Sequence, residues 1–299
     1  MLALIAGTGD LPPALIARLP ERPLVCALQG FDPAIPAEIR FRLEHLGTFL
    51  QTLRTAGVPR ICMAGAVRRP EVDPSQIDPA TAPLVPRVIA AMAQGDDGAL
   101  RILISLLEEH GFDVVAAHEI APDLLPAPGV LTEAAPTKAH RSAAQVGDAC
   151  VAAMGAADTG QACLVRNAQV VATEGPDGTD AMLDAYAERQ DPQQDGGLFD
   201  TVSDFATSAF DGFTDLLVGE VAGGASPGDT ILFKAPKPDQ DRRADLPVIG
   251  PATAERAVKA GLAGIVIEAG GVMVLDKPAV ISTLDAHDAF LWVRPKGAA

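Results

Sequence analysis

Short apolar runs alternate with helix-like segments through the first part of the chain. Three of these runs cover residues 2–7, 23–28 and 60–67, and each ends close to a glycine. Runs of this kind are typical of parallel strands that are buried on both faces of a sheet. Residues 96–111 predict a helix that is capped by Asp96 or Asp97, and a fourth strand follows over 112–117. This alternation predicts an α/β domain with a parallel sheet.

Prolines and glycines in the segment 121–137 interrupt the alternation, so we predict a domain boundary near residue 130. The domains would then comprise residues 1–130 and 131–299. The second domain is predicted to be mixed α/β, with a hairpin that turns at Asn167 and a helix that is capped by Thr179. Its other predicted strands cover 229–238, 263–268 and 271–275, a further helix covers 252–261, and the segment 190–228 is predicted to be partly loop.

The composition narrows the possible partners. The 299 residues are 48% hydrophobic and 21% charged, which is ordinary for a globular protein, and the net charge is −16. This charge opposes nucleic acid and anionic membrane surfaces, so we expect no nucleic-acid partner. The four cysteines lack metal-ligand spacing, and no apolar stretch reaches the roughly 18–20 residues of a membrane span. We therefore expect buried, reduced thiols and a cytoplasmic protein.

The turn after the first run begins like a dinucleotide-binding loop. Gly7 and Gly9 match the first two glycines of GxGxxG, but Pro12 stands where the third belongs. No acidic residue directly ends the second run, where a ribose-binding carboxylate would lie. A nicotinamide oxidoreductase therefore has weak support, although another ligand could still bind where these strands end.

The densest candidate chemistry lies in the sequence KPDQDRRADLPVIG, residues 237–250, and in the strand that leads to it. The segment carries cations suited to phosphate, carboxylates suited to a hard metal ion, and an amide. These are the groups that phosphoryl transfer requires. A solvated turn with internal ion pairs would have the same composition, so these residues alone leave both interpretations open. The loop with Glu174, Asp177 and Asp180 is a weaker candidate for a cation or sugar site.

Several ordered stretches together resemble the LpxI family of UDP-2,3-diacylglucosamine pyrophosphatases over nearly the whole chain. They are LIAGTGDLP, AGAVRRP, GDDGALR, DTGQACLV, EGPDGTDAML, KAPKPDQDRRADLPVIGP and AGLAGIVIEAGGVMVLD. The segment 190–228 is longer than we expect for the family. The resemblance implies a two-domain enzyme, with an N-terminal Rossmann-like domain and a C-terminal α/β domain that hold the lipid between them.

The same resemblance implies hydrolysis of UDP-2,3-diacylglucosamine to UMP and 2,3-diacylglucosamine 1-phosphate with a divalent cation such as Mg²⁺. It also implies a homodimer that works at the cytoplasmic face of the inner membrane. A non-catalytic lipid or nucleotide carrier, or a nicotinamide oxidoreductase, remains the alternative.

The resemblance gives the candidate residues their roles. Asp241 is the first choice for the catalytic carboxylate and metal ligand, and Asp245 is the second. We expect diphosphate oxygens to be held by Lys234, Lys237 and Gln240. The two glycine turns should line the cleft with Gly7, Gly9, Asp10, Leu11, Gly65, Ala66 and Val67. The rest of the polar wall is expected to consist of Glu174, Thr179 and Asp180.

Overall fold

The computed structural model describes residues 1–68, 70–190, 229–238 and 240–297. These residues form two compact units. The first contains Met1–Leu124 together with Gln240–Leu246, and the second contains the described residues of Leu125–Asp239 and Pro247–Ala299. The units differ from the predicted division at residue 130, because residues 125–130 join the second unit and a short segment of the predicted second domain joins the first. Of the predicted loop-rich segment, residues 191–228 lie outside the described residues.

The first unit contains a five-stranded sheet whose paired strands all run parallel. The strands are β1 (Leu2–Ala6), β2 (Leu24–Leu28), β3 (Ile39–Phe41), β4 (Arg60–Ala64) and β5 (Asp113–Val114), and their order is β3-β2-β1-β4-β5. The helices are α1 (Leu11–Ile16), α2 (Leu46–Thr55), α3 (Val85–Met92), α4 (Asp96–Glu109) and α5 (Ala117–Ile120). This strand order confirms the Rossmann-like fold class.

The apolar runs form the centre of this sheet because both of its faces are covered. Ala3 and Ile61 on neighbouring strands pack with Phe49 and Leu53 of α2 and with Leu107 of α4. Burial of such side chains contributes roughly 25 cal/mol per Å² of apolar surface removed from water. The periodic pattern of α2 and α4 therefore places their apolar faces on the sheet.

Two sequence-based predictions in this unit are wrong in detail, and three elements were not predicted. The helix predicted from Asp96 has Gly95 as its N-cap, so neither Asp96 nor Asp97 is the capping residue. The strand predicted over 112–117 covers only β5, because α5 begins at Ala117. The elements β3, α3 and α5 were not predicted, and β3 and α5 are too short to show a hydrophobic period.

The second unit contains a six-stranded mixed sheet and a two-stranded parallel sheet. The larger sheet consists of β6 (Gly129–Val130), β7 (Ala162–Arg166), β8 (Gln169–Thr173), β9 (Thr230–Lys234), β11 (Gly264–Glu268) and β13 (Phe290–Arg294), in the order β6-β13-β11-β9-β7-β8. The smaller pairs β10 (Val248–Ile249) with β12 (Met273–Val274). The helices are α6 (Lys138–Ala156), α7 (Gly178–Gln190), α8 (Pro251–Lys259) and α9 (Lys277–Asp285).

Strands β9, β11 and β13 run parallel, and both faces of this central part are buried. On one face Leu232 packs in a cluster with Leu183 of α7 and Val280 of α9. On the other face Phe233 packs in a cluster with Val151 of α6. The hairpin β7–β8 turns at Asn167, as predicted, and both Asn167 and Ala168 have positive φ.

Two further expectations concern thiols and membrane spans. All four cysteines are free and buried, and their burial agrees with the prediction. Among the residues that the structure describes, none of the helices has the length and apolar character to cross a membrane.

Candidate active site

Asp241 lies in a turn that packs with the first unit. The Arg243 guanidinium donates from Nε to Oδ1 at 3.0 Å and from Nη2 to Oδ2 at 2.7 Å, and the Arg243 amide donates to Oδ1 at 3.1 Å. Arg243 also donates to Glu108 of α4 at 2.6 Å. These bonds, with weaker help from the charge of Arg101, lower the pKa of Asp241. Asp241 is therefore an ionised carboxylate in a fixed orientation.

Asp245 follows Asp241 by one turn of the chain, and its amide donates to the Asp241 carbonyl at 3.2 Å. The buried Gln240 donates from its side-chain nitrogen to Oδ2 of Asp245. The structure thus brings three predicted site residues, Gln240, Asp241 and Asp245, into one turn.

The two glycine turns of the first unit also lie together. They follow the neighbouring strands β1 and β4, and Thr8 and Ala66 exchange backbone hydrogen bonds of 2.9 Å in each direction. A Cβ on Gly7 would lie 2.4 Å from the Ala66 carbonyl oxygen, so Gly7 is needed for this close approach of two backbones. This meeting point brings together the predicted residues Gly7, Gly65 and Ala66. The other predicted residues of the two turns follow it along the chain: Gly9, Asp10 and Leu11 after Thr8, and Val67 after Ala66.

The close approach of the two backbones explains the glycine in the first turn without a bound ligand. Asp10 is the N-cap of α1, its side chain makes no capping bond, and α1 has only six residues. A carboxylate at that position repels a pyrophosphate, and Pro12 and Pro13 in the first turn of α1 have no amide N–H to offer one. The turn therefore has little in common with a dinucleotide site.

A buried relay links three predicted residues in the second unit. Lys234, the last residue of β9, donates from Nζ to Thr179 Oγ1 at 2.9 Å and to the Val248 carbonyl at 3.1 Å. Thr179 donates to Glu174 Oε1 at 2.5 Å. Lys234, Thr179 and Glu174 are exposed by only 6%, 7% and 9%. The prediction that Thr179 is the helix cap is wrong, because α7 begins at Gly178 and this hydroxyl binds Glu174.

The other two predicted residues of this unit have partners outside that relay. Lys237 forms an ion pair with Asp158, which lies after α6, and a Cβ on Gly155 would contact Pro238 and Lys237. Asp180 is half-exposed and pairs with Arg256 of α8 at 3.3 Å. The bond that the structure gives to Asp180 is therefore with Arg256, outside the relay, and the polar wall of these three residues stays a prediction.

Sequence reasoning missed several charged partners. Asp158 follows α6, and Glu108 lies on α4, whose sequence pattern was used to locate its apolar face and not its charged residues. Buried Glu268 and Arg294 end the neighbouring strands β11 and β13, and Arg294 donates to Asp148 at 2.9 Å. A charged residue at the end of each apolar strand was the available signal.

The carboxylates of Asp241 and Asp245 could take part in binding a divalent cation. Among the described residues, His, Cys, Asp and Glu form no group of three or more suited to a metal ion. Mg²⁺ is commonly held by one or two carboxylates together with substrate phosphates. Asp241 and Asp245 in one turn fit that arrangement through Asp241 Oδ2, which accepts one bond from Arg243 and retains a lone pair, whereas Oδ1 accepts two bonds.

Comparisons with known proteins point to one family over nearly the whole chain. A family model described as the LpxI N-terminal domain matches residues 1–124, and one described as the LpxI C-terminal domain matches residues 127–292. The protein called UDP-2,3-diacylglucosamine pyrophosphatase LpxI from Caulobacter vibrioides is 32% identical over 298 residues, covering 97% of this chain and 96% of the relative. On these matches and on the fold, the chain belongs to the LpxI family.

Proposed function

We propose that this protein hydrolyses the diphosphate of UDP-2,3-diacylglucosamine to UMP and 2,3-diacylglucosamine 1-phosphate in lipid A biosynthesis. The observation that carries the proposal is the similarity to a pyrophosphatase over 97% of the chain. The site chemistry supports it, because an ionised, oriented carboxylate and two lysines occur in residues 234–241.

In the proposed reaction, the oxygen of one water molecule forms a bond to a phosphorus atom of the diphosphate. The bond between that phosphorus and the bridging oxygen breaks, and the two protons of water are shared between the products and solvent. Asp241 orients the attacking water or binds the cation, and Asp245 is held beside it by Gln240. Lys234 and Lys237 neutralise oxygen charge that grows in the transition state.

A divalent cation such as Mg²⁺ would be held by Asp241, with Asp245 as the nearest second carboxylate, and would supply further neutralisation of phosphate charge. We also propose that the enzyme works as a homodimer at the cytoplasmic face of the inner membrane. In this proposal its contact with the membrane is through the acyl chains of its substrate.

One assay tests the proposal against both alternatives. The purified protein is incubated with UDP-2,3-diacylglucosamine in Mg²⁺, in EDTA, and in EDTA followed by excess Mg²⁺, and UMP release is measured. We expect release in Mg²⁺, loss in EDTA and recovery on addition. Tight binding of the lipid without UMP release would identify a carrier, whereas oxidation of NADH in a parallel sample would identify an oxidoreductase. UMP release that is unaffected by EDTA would support the hydrolase and show that the reaction requires no metal ion.

A further inference from the structure

The buried relay of the second unit has a fixed direction. A lysine ammonium has donors and no acceptor, so the bond between Lys234 Nζ and Thr179 Oγ1 must run from lysine to threonine. The single proton of the Thr179 hydroxyl then points to Glu174 Oε1, at 2.5 Å. The other Glu174 oxygen accepts from the Gln161 amide at 2.7 Å. Each of these three bonds therefore has its donor and acceptor determined.

This direction limits what Thr179 and Glu174 can do with a diphosphate. Ionised phosphate oxygens are acceptors, and the only donor of the Thr179 hydroxyl is already given to Glu174. Glu174 carries negative charge, and each of its oxygens already accepts a bond. Direct contact with phosphate would require the relay to break, at a cost of about 1–3 kcal/mol for each buried polar group left without its bond.

The relay is well suited to hold the Lys234 ammonium. A lysine side chain has four rotatable bonds, and a buried ammonium is costly unless it is bonded and its charge is balanced. Thr179 Oγ1 and the Val248 carbonyl fix the direction of Nζ, and Glu174 supplies the opposite charge one hydroxyl away. The sequence EGPDGT forms a turn between Glu174 and Thr179, which are five residues apart, and this turn brings the carboxylate and the hydroxyl together.

We infer that Glu174 and Thr179 are positioning residues that act through Lys234, and that neither contacts the diphosphate of the substrate. The inference rests on the proposed function for its effect on catalysis. The role expected for these two residues thereby changes from lining the site to orienting the Lys234 ammonium.

The test is a double-mutant cycle with a rescue variant. Thr179→Val removes the hydroxyl at nearly constant shape, Thr179→Ser keeps it, and Lys234→Met removes the ammonium. We expect Thr179→Val to lower kcat/KM for UMP release on the order of 10- to 100-fold, by analogy with groups that orient metal ligands. Thr179→Ser should restore most of the activity. In the Lys234→Met background, Thr179→Val should have little further effect.

A matched control separates this effect from the loss of any buried hydroxyl. Thr230 lies on the same strand as Lys234, is buried, and bonds to Tyr186 at 3.0 Å. Thr230→Val should keep kcat/KM close to the wild-type value. If Thr179→Val raises KM equally with and without Lys234, Thr179 contacts the substrate and the inference is wrong.

A second readout does not depend on hydrolysis. The ¹H–¹⁵N signal of the Lys234 ammonium, assigned by its loss in Lys234→Met, should be resolved in the wild type and in Thr179→Ser and absent in Thr179→Val. An unchanged signal in Thr179→Val, or none in the wild type, overturns the inference. If this pattern appears but the wild type releases no UMP, the proposed function fails while the positioning of Lys234 stands.

Discussion

Arg243 holds both carboxylate oxygens of Asp241, with bonds of 3.0 and 2.7 Å from its guanidinium. Arg243 is itself tied to α4 through Glu108. A carboxylate held in this way has its side-chain torsions fixed before any ligand binds. This kind of advance ordering is what a group that orients water or a cation requires.

We therefore predict that Asp241→Ala lowers kcat far more than it raises KM. The expected loss is on the order of 10²-fold or more, or about 3 kcal/mol, comparable to other groups that stabilise transition-state charge. Stability should change little, because the partly exposed Arg243 keeps Glu108 as a partner. Steady-state kinetics at saturating Mg²⁺ and thermal unfolding measure both effects.

Asp123→Asn is a suitable control, since it removes an exposed carboxylate of the same unit that pairs with Arg18. It should keep normal kinetics. Asp245→Ala tests the competing assignment, and a normally folded Asp241→Ala enzyme with full activity would show that Asp245 or another group has the role.

Lys237 should behave differently from Asp241. Its ammonium binds the ground-state diphosphate as well as the transition state, so Lys237→Ala should raise KM and also lower kcat. The same kinetic assay measures both constants. Lys138→Ala, which removes an exposed lysine at the start of α6, is the control for loss of positive charge. A change in kcat alone would argue that Lys237 acts only in the transition state.

The elements that could be predicted are those with a strong hydrophobic pattern. β1, β2 and β4 are continuous apolar runs, and the hairpin at Asn167 combines apolar strands with a residue that tolerates positive φ. β3, with three residues, and α5, with four, are too short for either period to appear. Their positions depend on pairing and packing with residues distant in sequence.

The candidate site shows the same limit. The segment with Asp241 was recognised from its density of charge, and the bond from Gln240 to Asp245 is local. The contact of Arg243 with Glu108 joins residues 135 positions apart, and that of Lys237 with Asp158 joins residues 79 positions apart. No spacing rule reports such contacts, because they depend on how strands are ordered in a sheet.

Gly7→Ala should destabilise the first unit. The new Cβ would lie 2.4 Å from the Ala66 carbonyl oxygen and 2.8 Å from two further backbone atoms, which cannot rotate away. Overpacking of this kind costs about 1–3 kcal/mol, and the turn after β4 must move. Urea denaturation measures the loss. Gly175→Ala is the control for stability, since a Cβ there meets nothing within 4 Å, and equal stability of both variants would contradict the prediction.

Membrane association should depend on the lipid substrate and not on charge. The net charge of −16 opposes an anionic surface, so substrate-free phosphatidylglycerol vesicles should bind the protein weakly even at low salt. Vesicles that also contain the product 2,3-diacylglucosamine 1-phosphate, which keeps the acyl chains of the substrate, should bind more, and the added binding should persist at high salt. Co-sedimentation measures both. Strong binding to the substrate-free vesicles at low salt would point to a basic surface patch instead.

Glu44 gives the first unit a specific dependence on acid. Its buried side chain accepts from Arg42 Nη2 at 2.7 Å and Nε at 3.2 Å, and from the Asp73 amide at 2.8 Å. The bond from Arg42 is the main cause that lowers the pKa of Glu44 to about 2, against the opposing effect of burial. An unfolded glutamate titrates near pH 4.3, so the folded state binds this proton less readily than the unfolded state does.

The stability that ionised Glu44 contributes should therefore be complete above about pH 4.5 and should fall as the pH is lowered towards about 2. Glu44→Gln removes this contribution and weakens three bonds, so we expect a loss of about 1–3 kcal/mol at pH 7. The difference between the wild type and the variant should shrink as the pH falls through that window. Urea denaturation at pH 7, 4 and 3 measures it, with the exposed Glu71→Gln as the control. A difference that stays constant across these pH values would show that the buried carboxylate acts through shape and not through its charge.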